Sequence, residues 1–132
     1  MKKGNEKGDY LISIADNRNY IIIKYLVPMT TELALKSGPE LQRIANENDI
    51  KRYLFDMRES PNIQSVTDNY FYANQDIQTF DFPRDSRSAF LTEPSDRSHD
   101  FITTAFRNAG YLVDKFITED EAVQWLNANL KD

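Results

Sequence analysis

Residues 20–27 read Tyr-Ile-Ile-Ile-Lys-Tyr-Leu-Val, and Lys24 is the one charge among them. β-Branched and aromatic residues dominate this run, so it favours an extended strand. Alternate side chains of a strand point to opposite faces, and here both faces are apolar. Such a strand belongs inside a sheet that is covered on both sides. A second β-prone run, Tyr10 to Ala15, precedes it across Asp16-Asn17-Arg18-Asn19, a turn composition. The two runs therefore predict an antiparallel hairpin.

Downstream, β runs alternate with helical stripes. Pro28 stops the second strand, and residues 31–48 predict a helical region. Within it, Ser37 and Glu40 have the Ser-x-x-Glu spacing of a capping box, with Pro39 tolerated in a first turn. That spacing predicts a break near Gly38, followed by a stripe of Leu41, Ile44 and Ala45. Lys51 to Met57 reads as a short strand. Ser65 and Asp68 resemble another cap, and Val66, Tyr70, Ala73 and Ile77 follow at helical spacing. Residues 79–85, with Phe80, Phe82 and Pro83, read as an irregular linker. Arg87 to Thr92 is the next strand. Ser98 is the expected N-cap of a third helix whose stripe ends at Gly110, where a left-handed glycine closes a helix. Tyr111 to Phe116 is the fifth strand. Thr118 and Glu121 cap a last helix with Ala122, Val123, Trp125, Leu126 and Leu130 on its inner face.

The order β-β-α-β-α-β-α-β-α predicts an α/β fold. Its mainly parallel five-stranded sheet begins with an antiparallel N-terminal hairpin and is flanked by helices. Residues 1–9, charged and glycine-containing, read as a flexible terminus ahead of one domain over residues 10–132.

Composition narrows the chemistry. The chain has no cysteine, which excludes disulfides, thiol catalysis, iron–sulfur clusters and Cys-ligated zinc. One histidine, His99, leaves no His-rich metal site, and no calcium-loop spacing occurs, so neither a metal nor a cofactor is expected. A net charge of −5 argues against nucleic-acid binding. No Gly-rich phosphate loop or dinucleotide fingerprint is present. The longest apolar run is too short to span a bilayer, and no signal-peptide pattern stands at residues 1–9. With no cysteine and no Asn-x-Ser/Thr site, cytoplasmic is the default expectation.

Three stretches resemble the STAS superfamily, the fold of bacterial anti-sigma-factor antagonists, in the branch grouped with SEC14-like lipid-binding domains. They are Tyr53-Leu54-Phe55-Asp56-Met57-Arg58, Arg107-Asn108-Ala109-Gly110-Tyr111, and Phe116 to Leu126 with its acidic cap and Ala-x-x-Trp-Leu ending. With the element order, the likeness covers nearly the whole chain. It implies a STAS-like fold and a non-enzymatic module that works by contact with a protein partner or with itself as a homodimer. Phospho-switch antagonists carry a serine directly after the strand-end aspartate. Here Met57 follows Asp56, and the nearest serine is Ser60.

In open parallel sheets, ligands gather beyond the carboxyl ends of the strands. That rule selects residues 28–30, 56–60, 92–99 and 116–117. The candidates it offers are Asp56, Arg58, Ser60, Ser98 and His99, with an anion at the start of the third helix as one role. Local pairing of Asp56 with Arg58, and capping by Ser98, is the simpler expectation. His99 could be a general base beside Ser95 or Ser98, but a solvated first-turn histidine is the expected state. The run Tyr70-Phe71-Tyr72 cannot bury every ring on one narrow helical stripe. Tyr70, Tyr72, Phe80 and Phe82 are therefore candidates to line a pocket for a small apolar or lipid-like ligand, or an interface.

Overall fold

The hairpin forms as expected, from β2 (Tyr10–Ile14) and β3 (Ile21–Tyr25), paired antiparallel with Ile12 opposite Ile23. Its turn closes through the Ala15 N–H to the Tyr20 carbonyl and the Arg18 N–H to the Ala15 carbonyl, with Arg18 at φ 60°. The computed structural model describes residues 2–4, 8–72, 75, 83 and 85–128. After the hairpin come α1 (Thr31–Glu47), β4 (Arg52–Asp56), α2 (Val66–Phe71), β5 (Arg87–Leu91), α3 (Asp100–Asn108), β6 (Leu112–Phe116) and α4 (Glu119–Asn127). The predicted α/β layout is the observed one. Strands β3 to β6 are parallel and lie side by side in chain order.

The sheet has one strand more than the sequence reading provides. Residues Lys2–Gly4, inside the segment expected to be a flexible terminus, form β1, antiparallel to β2 with Lys3 opposite Ile12. Three residues with two lysines carry little β signal, and pairing with an existing strand supplies what propensity does not.

The pleat divides the interior in two. On one face Ile12, Ile21, Ile23 and Tyr53 pack with Leu41, Ile44 and Ala45 of α1. On the other, Leu54, Ala89 and Leu91 pack with Ala122 and Leu126 of α4. β3 contributes Ile21 and Ile23 to the first core and Ile22 to the margin of the second, which satisfies the two-faced pattern that its sequence displays.

Two of the predicted caps stand where expected. Ser65 accepts from the Asp68 N–H at 3.1 Å, and Thr118 from the Glu121 N–H at 3.3 Å. Gly110 takes φ 98° just past α3. Two others are corrected. Ser98 does not cap α3: the N-cap position is His99, and it makes no side-chain cap bond. The break at Gly38 does not occur either. α1 is one helix capped by Thr30, whose hydroxyl accepts from the Leu33 N–H at 3.1 Å, and Pro39 lies inside it.

The two capping-type residues inside α1 are taken by strand tyrosines. Ser37 Oγ donates to the Leu33 carbonyl (2.8 Å), so it accepts from the Tyr25 hydroxyl (2.7 Å). Glu40 accepts from the Tyr10 hydroxyl at 2.5 Å. Tyr10 and Tyr25 are cross-strand partners, so one pair of rings fastens the middle of α1 to the hairpin.

The Pro39 ring is exposed and removes the N–H that would bond the Leu35 carbonyl. Pro39→Ala should therefore stabilise the protein by about 1–2 kcal/mol in urea unfolding. That figure is the restored helical bond less the unfolded-state entropy that proline removes. A lowered midpoint would show that the ring is needed where it sits.

Candidate functional site

The parallel strands end together at one margin of the sheet, and three of the four segments selected by the strand-end rule meet there. The loop after β3 pairs with the loop after β4: the Met29 N–H donates to the Pro61 carbonyl (2.8 Å), and the Ile63 N–H to the Met29 carbonyl (3.3 Å). Behind this bridge, between the sheet and the helices of the first core, lies a cavity of about 70 Å³.

Sheet and helices each supply a wall. Phe55, Met57 and Phe90 come from the β4 and β5 side, and Ile102 and Phe106 from α3. Phe90 and Phe106 meet edge to face with centroids 6.0 Å apart. Ala34 and Gly38 stand one turn apart on α1, and their small size leaves the space open. Among the described lining residues none carries a formal charge when His99 is neutral.

The polar lining includes Thr30, Thr31, Asn62, Gln64 and His99, beside the rings of Tyr25 and Tyr72. Most of it is bonded to itself. Gln64 Oε1 accepts the Thr31 N–H. Asn62 Nδ2 donates to Asn69 (2.9 Å), and Asn62 Oδ1 accepts the Gln64 N–H (3.1 Å). The Asn62 N–H donates to Ser98 Oγ (2.8 Å), which in turn donates to Asp96 (2.5 Å). Ser98 thus fastens the β4 loop to the β5 loop, and this is its role in place of the predicted cap.

His99 is not solvated; it is 3% exposed, which overturns the expectation of a surface first-turn histidine. Its Nε2 lies 2.8 Å from the Ser60 carbonyl, an obligate acceptor, so Nε2 carries the proton and Nδ1 keeps the lone pair in the neutral ring. Asp96 Oδ2 stands 4.0 Å from the same nitrogen, outside hydrogen-bond range. Burial pushes the His99 pKa below the ordinary value. The nearby Lys115 adds to that shift, while the Ser60 carbonyl, Asp96 and Asp100 oppose it. Lys115 is itself bonded to Asp100 at 2.6 Å. The general-base arrangement with Ser98 is not formed, because the Ser98 hydroxyl is engaged by Asp96 and Asn62.

The other candidates separate across the sheet. Asp56 shares the Leu54 side, on the α4 face, and is gripped by Arg58 through two bonds of 3.0 and 2.8 Å. Burial alone would raise the Asp56 pKa, but the Arg58 guanidinium and N–H outweigh it and hold the carboxyl below its usual value. Arg58 also lies 3.5 Å from Glu119 at the start of α4. This is local pairing, turned away from the cavity. Ser60 is fully buried and gives its carbonyl to His99, while its hydroxyl makes no hydrogen bond. Tyr72 is buried, lines the cavity and packs on Phe106, whereas Tyr70 (57% exposed) and Phe71 (49%) face outward. Phe80 and Phe82, with the Ala73 and Ile77 positions of the predicted stripe, lie outside the described residues.

Of the predicted site residues, the cavity therefore takes Tyr72 and His99. Sequence reasoning missed Thr31, Asn62, Gln64, Phe55, Phe90 and Phe106. The signal for the void was Ala34 and Gly38, two small residues four apart on the inner face of α1. Among the described residues, no group of three or more His, Asp or Glu side chains is placed to hold a metal ion, and no helix is long and apolar enough to cross a membrane. Comparison of the chain with family models, with curated proteins and with solved structures finds no match.

The buried imidazole sets a pH dependence. Its folded pKa is lowered, so below about pH 6.5, the ordinary histidine value, the unfolded chain binds a proton that the folded one refuses. Stability should fall as pH drops through 6.5 and level off below the folded pKa. His99→Gln, measured by urea midpoints between pH 5 and 7.5, should flatten that part of the profile. An unchanged slope would place its source elsewhere.

Proposed function

We propose that the protein is a STAS-like binding module that holds a small, mainly apolar molecule in the cavity under α1 and α3. One observation carries this reading. A space of about 70 Å³, walled by Phe55, Phe90 and Phe106 and with no lysine, arginine, aspartate or glutamate among its described lining residues, sits at the carboxyl ends of the parallel strands, where ligands gather in sheets of this kind. The size is about half that of an engineered 150 Å³ cavity that admits benzene, so the buried part of the ligand is small. The element order, with its leading hairpin and alternating βα units, supports the STAS-like assignment. A second reading, contact with a protein partner or a second copy, draws on the outward-facing Ile63, Tyr70 and Phe71. A concentration-dependent mass in light scattering that Tyr70→Ser with Phe71→Ser abolishes would support it, and a constant monomer would remove it.

Xenon is an apolar probe of suitable size for the first reading. In xenon-saturated buffer, amide and aromatic resonances of Phe55, Phe90 and Phe106 should shift, and Ala34→Phe, which fills the space, should remove the response. Native mass spectrometry of the purified wild type should show an adduct that the same substitution eliminates. A wild-type protein that responds to xenon no more than Ala34→Phe does would sink the reading.

A further inference from the structure

The walls of the cavity differ in how firmly they are held. Phe55 and Phe90 stand on β4 and β5, each of which is paired on both sides. α1 is fastened by the hydroxyls of Tyr10 and Tyr25, and α3 by the rings packed around Phe106. Met57, Tyr72 and His99 are buried. What is left of the described lining outside strands and helices is Met29, Thr30, Asn62 and Gln64, from the two loops bridged at that margin.

Residues 61–64 run between two fixed ends. Ser60 is fully buried with its carbonyl on His99, and Ser65 caps α2 through the Asp68 N–H. Between them the chain is tied to its surroundings by hydrogen bonds: Pro61 and Ile63 to the Met29 backbone, Asn62 to Ser98 and Asn69, and Gln64 to the Thr31 N–H. None of its apolar side chains is buried: Pro61 is exposed, and Ile63, 63% exposed, faces outward. When such a segment lifts, each released polar group finds water, and no side chain of its own has to leave the core. Moving a strand or a helix would instead break ladder bonds or core packing. Segments with few buried apolar contacts open locally far more often than the whole fold does.

Resting on the cavity-binding reading above, we infer that residues 61–64 are a strap that opens to admit the ligand, turning on Ser60 and Ser65 and parting from Met29. The bonds to Ser98 and to the Thr31 N–H are its latches, one near the start of each helix that covers the cavity.

Met29 and Asn62 are bridge partners, both line the cavity, and the chain has no cysteine of its own. Met29→Cys with Asn62→Cys therefore allows a single disulfide that ties the strap shut. With xenon as the probe on the isotope-labelled full chain, exchange broadening of the Phe55, Phe90 and Phe106 resonances reads the rate of entry. The oxidised form should admit xenon roughly tenfold or more slowly than the same protein reduced, because the local opening is lost while the fold is kept. Ser98→Ala removes one latch without touching the lining. Xenon entry and hydrogen exchange of the Ile63 amide, whose own acceptor is the Met29 carbonyl, should then both quicken about fivefold, the worth of one ordinary hydrogen bond. Ser98→Ala decides the matter alone if the disulfide does not close. Equal entry rates in the oxidised and reduced forms, or an unchanged entry rate in Ser98→Ala, would remove the strap as the way in and leave the cavity reading standing. A wild type that takes up no xenon removes both.

Discussion

Each parallel strand of this sheet lies beside the strand that precedes it in the chain, and the other features follow from that placement. Crossovers between neighbouring parallel strands keep one hand, so steps that all run in one direction put their helices on one face. The cores agree: α1 and α3 share an interior with Tyr53 and Phe90, while α4, which follows the last strand, packs on the other side. The first face is thick and aromatic, and there the packing leaves a cavity. The second is thin, with α4 against β4, β5 and β6.

The same geometry divides the chemistry. Neighbouring residues of a strand belong to opposite faces, so Phe55 and Asp56 serve different ends. Phe55 walls the cavity; Asp56 turns to Arg58 and the start of α4. Proximity in sequence at a strand end is therefore a poor guide to a shared site. His99 belongs with Thr31 and Gln64, far away in the chain, rather than with Asp56 and Arg58, which the strand-end rule groups with it.

What could be read from the residues and what could not divide along physical lines. β3 announced itself because the run of residues 20–27, apolar on both faces but for Lys24, needs two covers, and Gly110, Ser65 and Thr118 because local backbone geometry demands those residue types. Ser37 and Glu40 have capping composition, but the hydroxyls of Tyr10 and Tyr25 claim them, and those arrive from another element. The burial of His99 escaped for the same reason: its partner is the Ser60 carbonyl, 39 residues away, and a backbone acceptor leaves no mark in a side-chain pattern. The aromatic run at residues 70–72 was legible as a conflict, and the fold resolves it by burying Tyr72 and leaving its two neighbours outside.

The three-residue strand β1 has a consequence for solubility. A sheet margin exposes a row of unpaired amides that can recruit a foreign strand and seed aggregation. Here one margin is a strand of three residues, too short to offer many ladder bonds. The opposite margin, β6, carries Asp114 and Lys115 at its centre. A very short strand at one border and a mixed charge pair at the other discourage edge-to-edge pairing, and the strongly β-prone Ile-Ile-Ile segment stays in the interior.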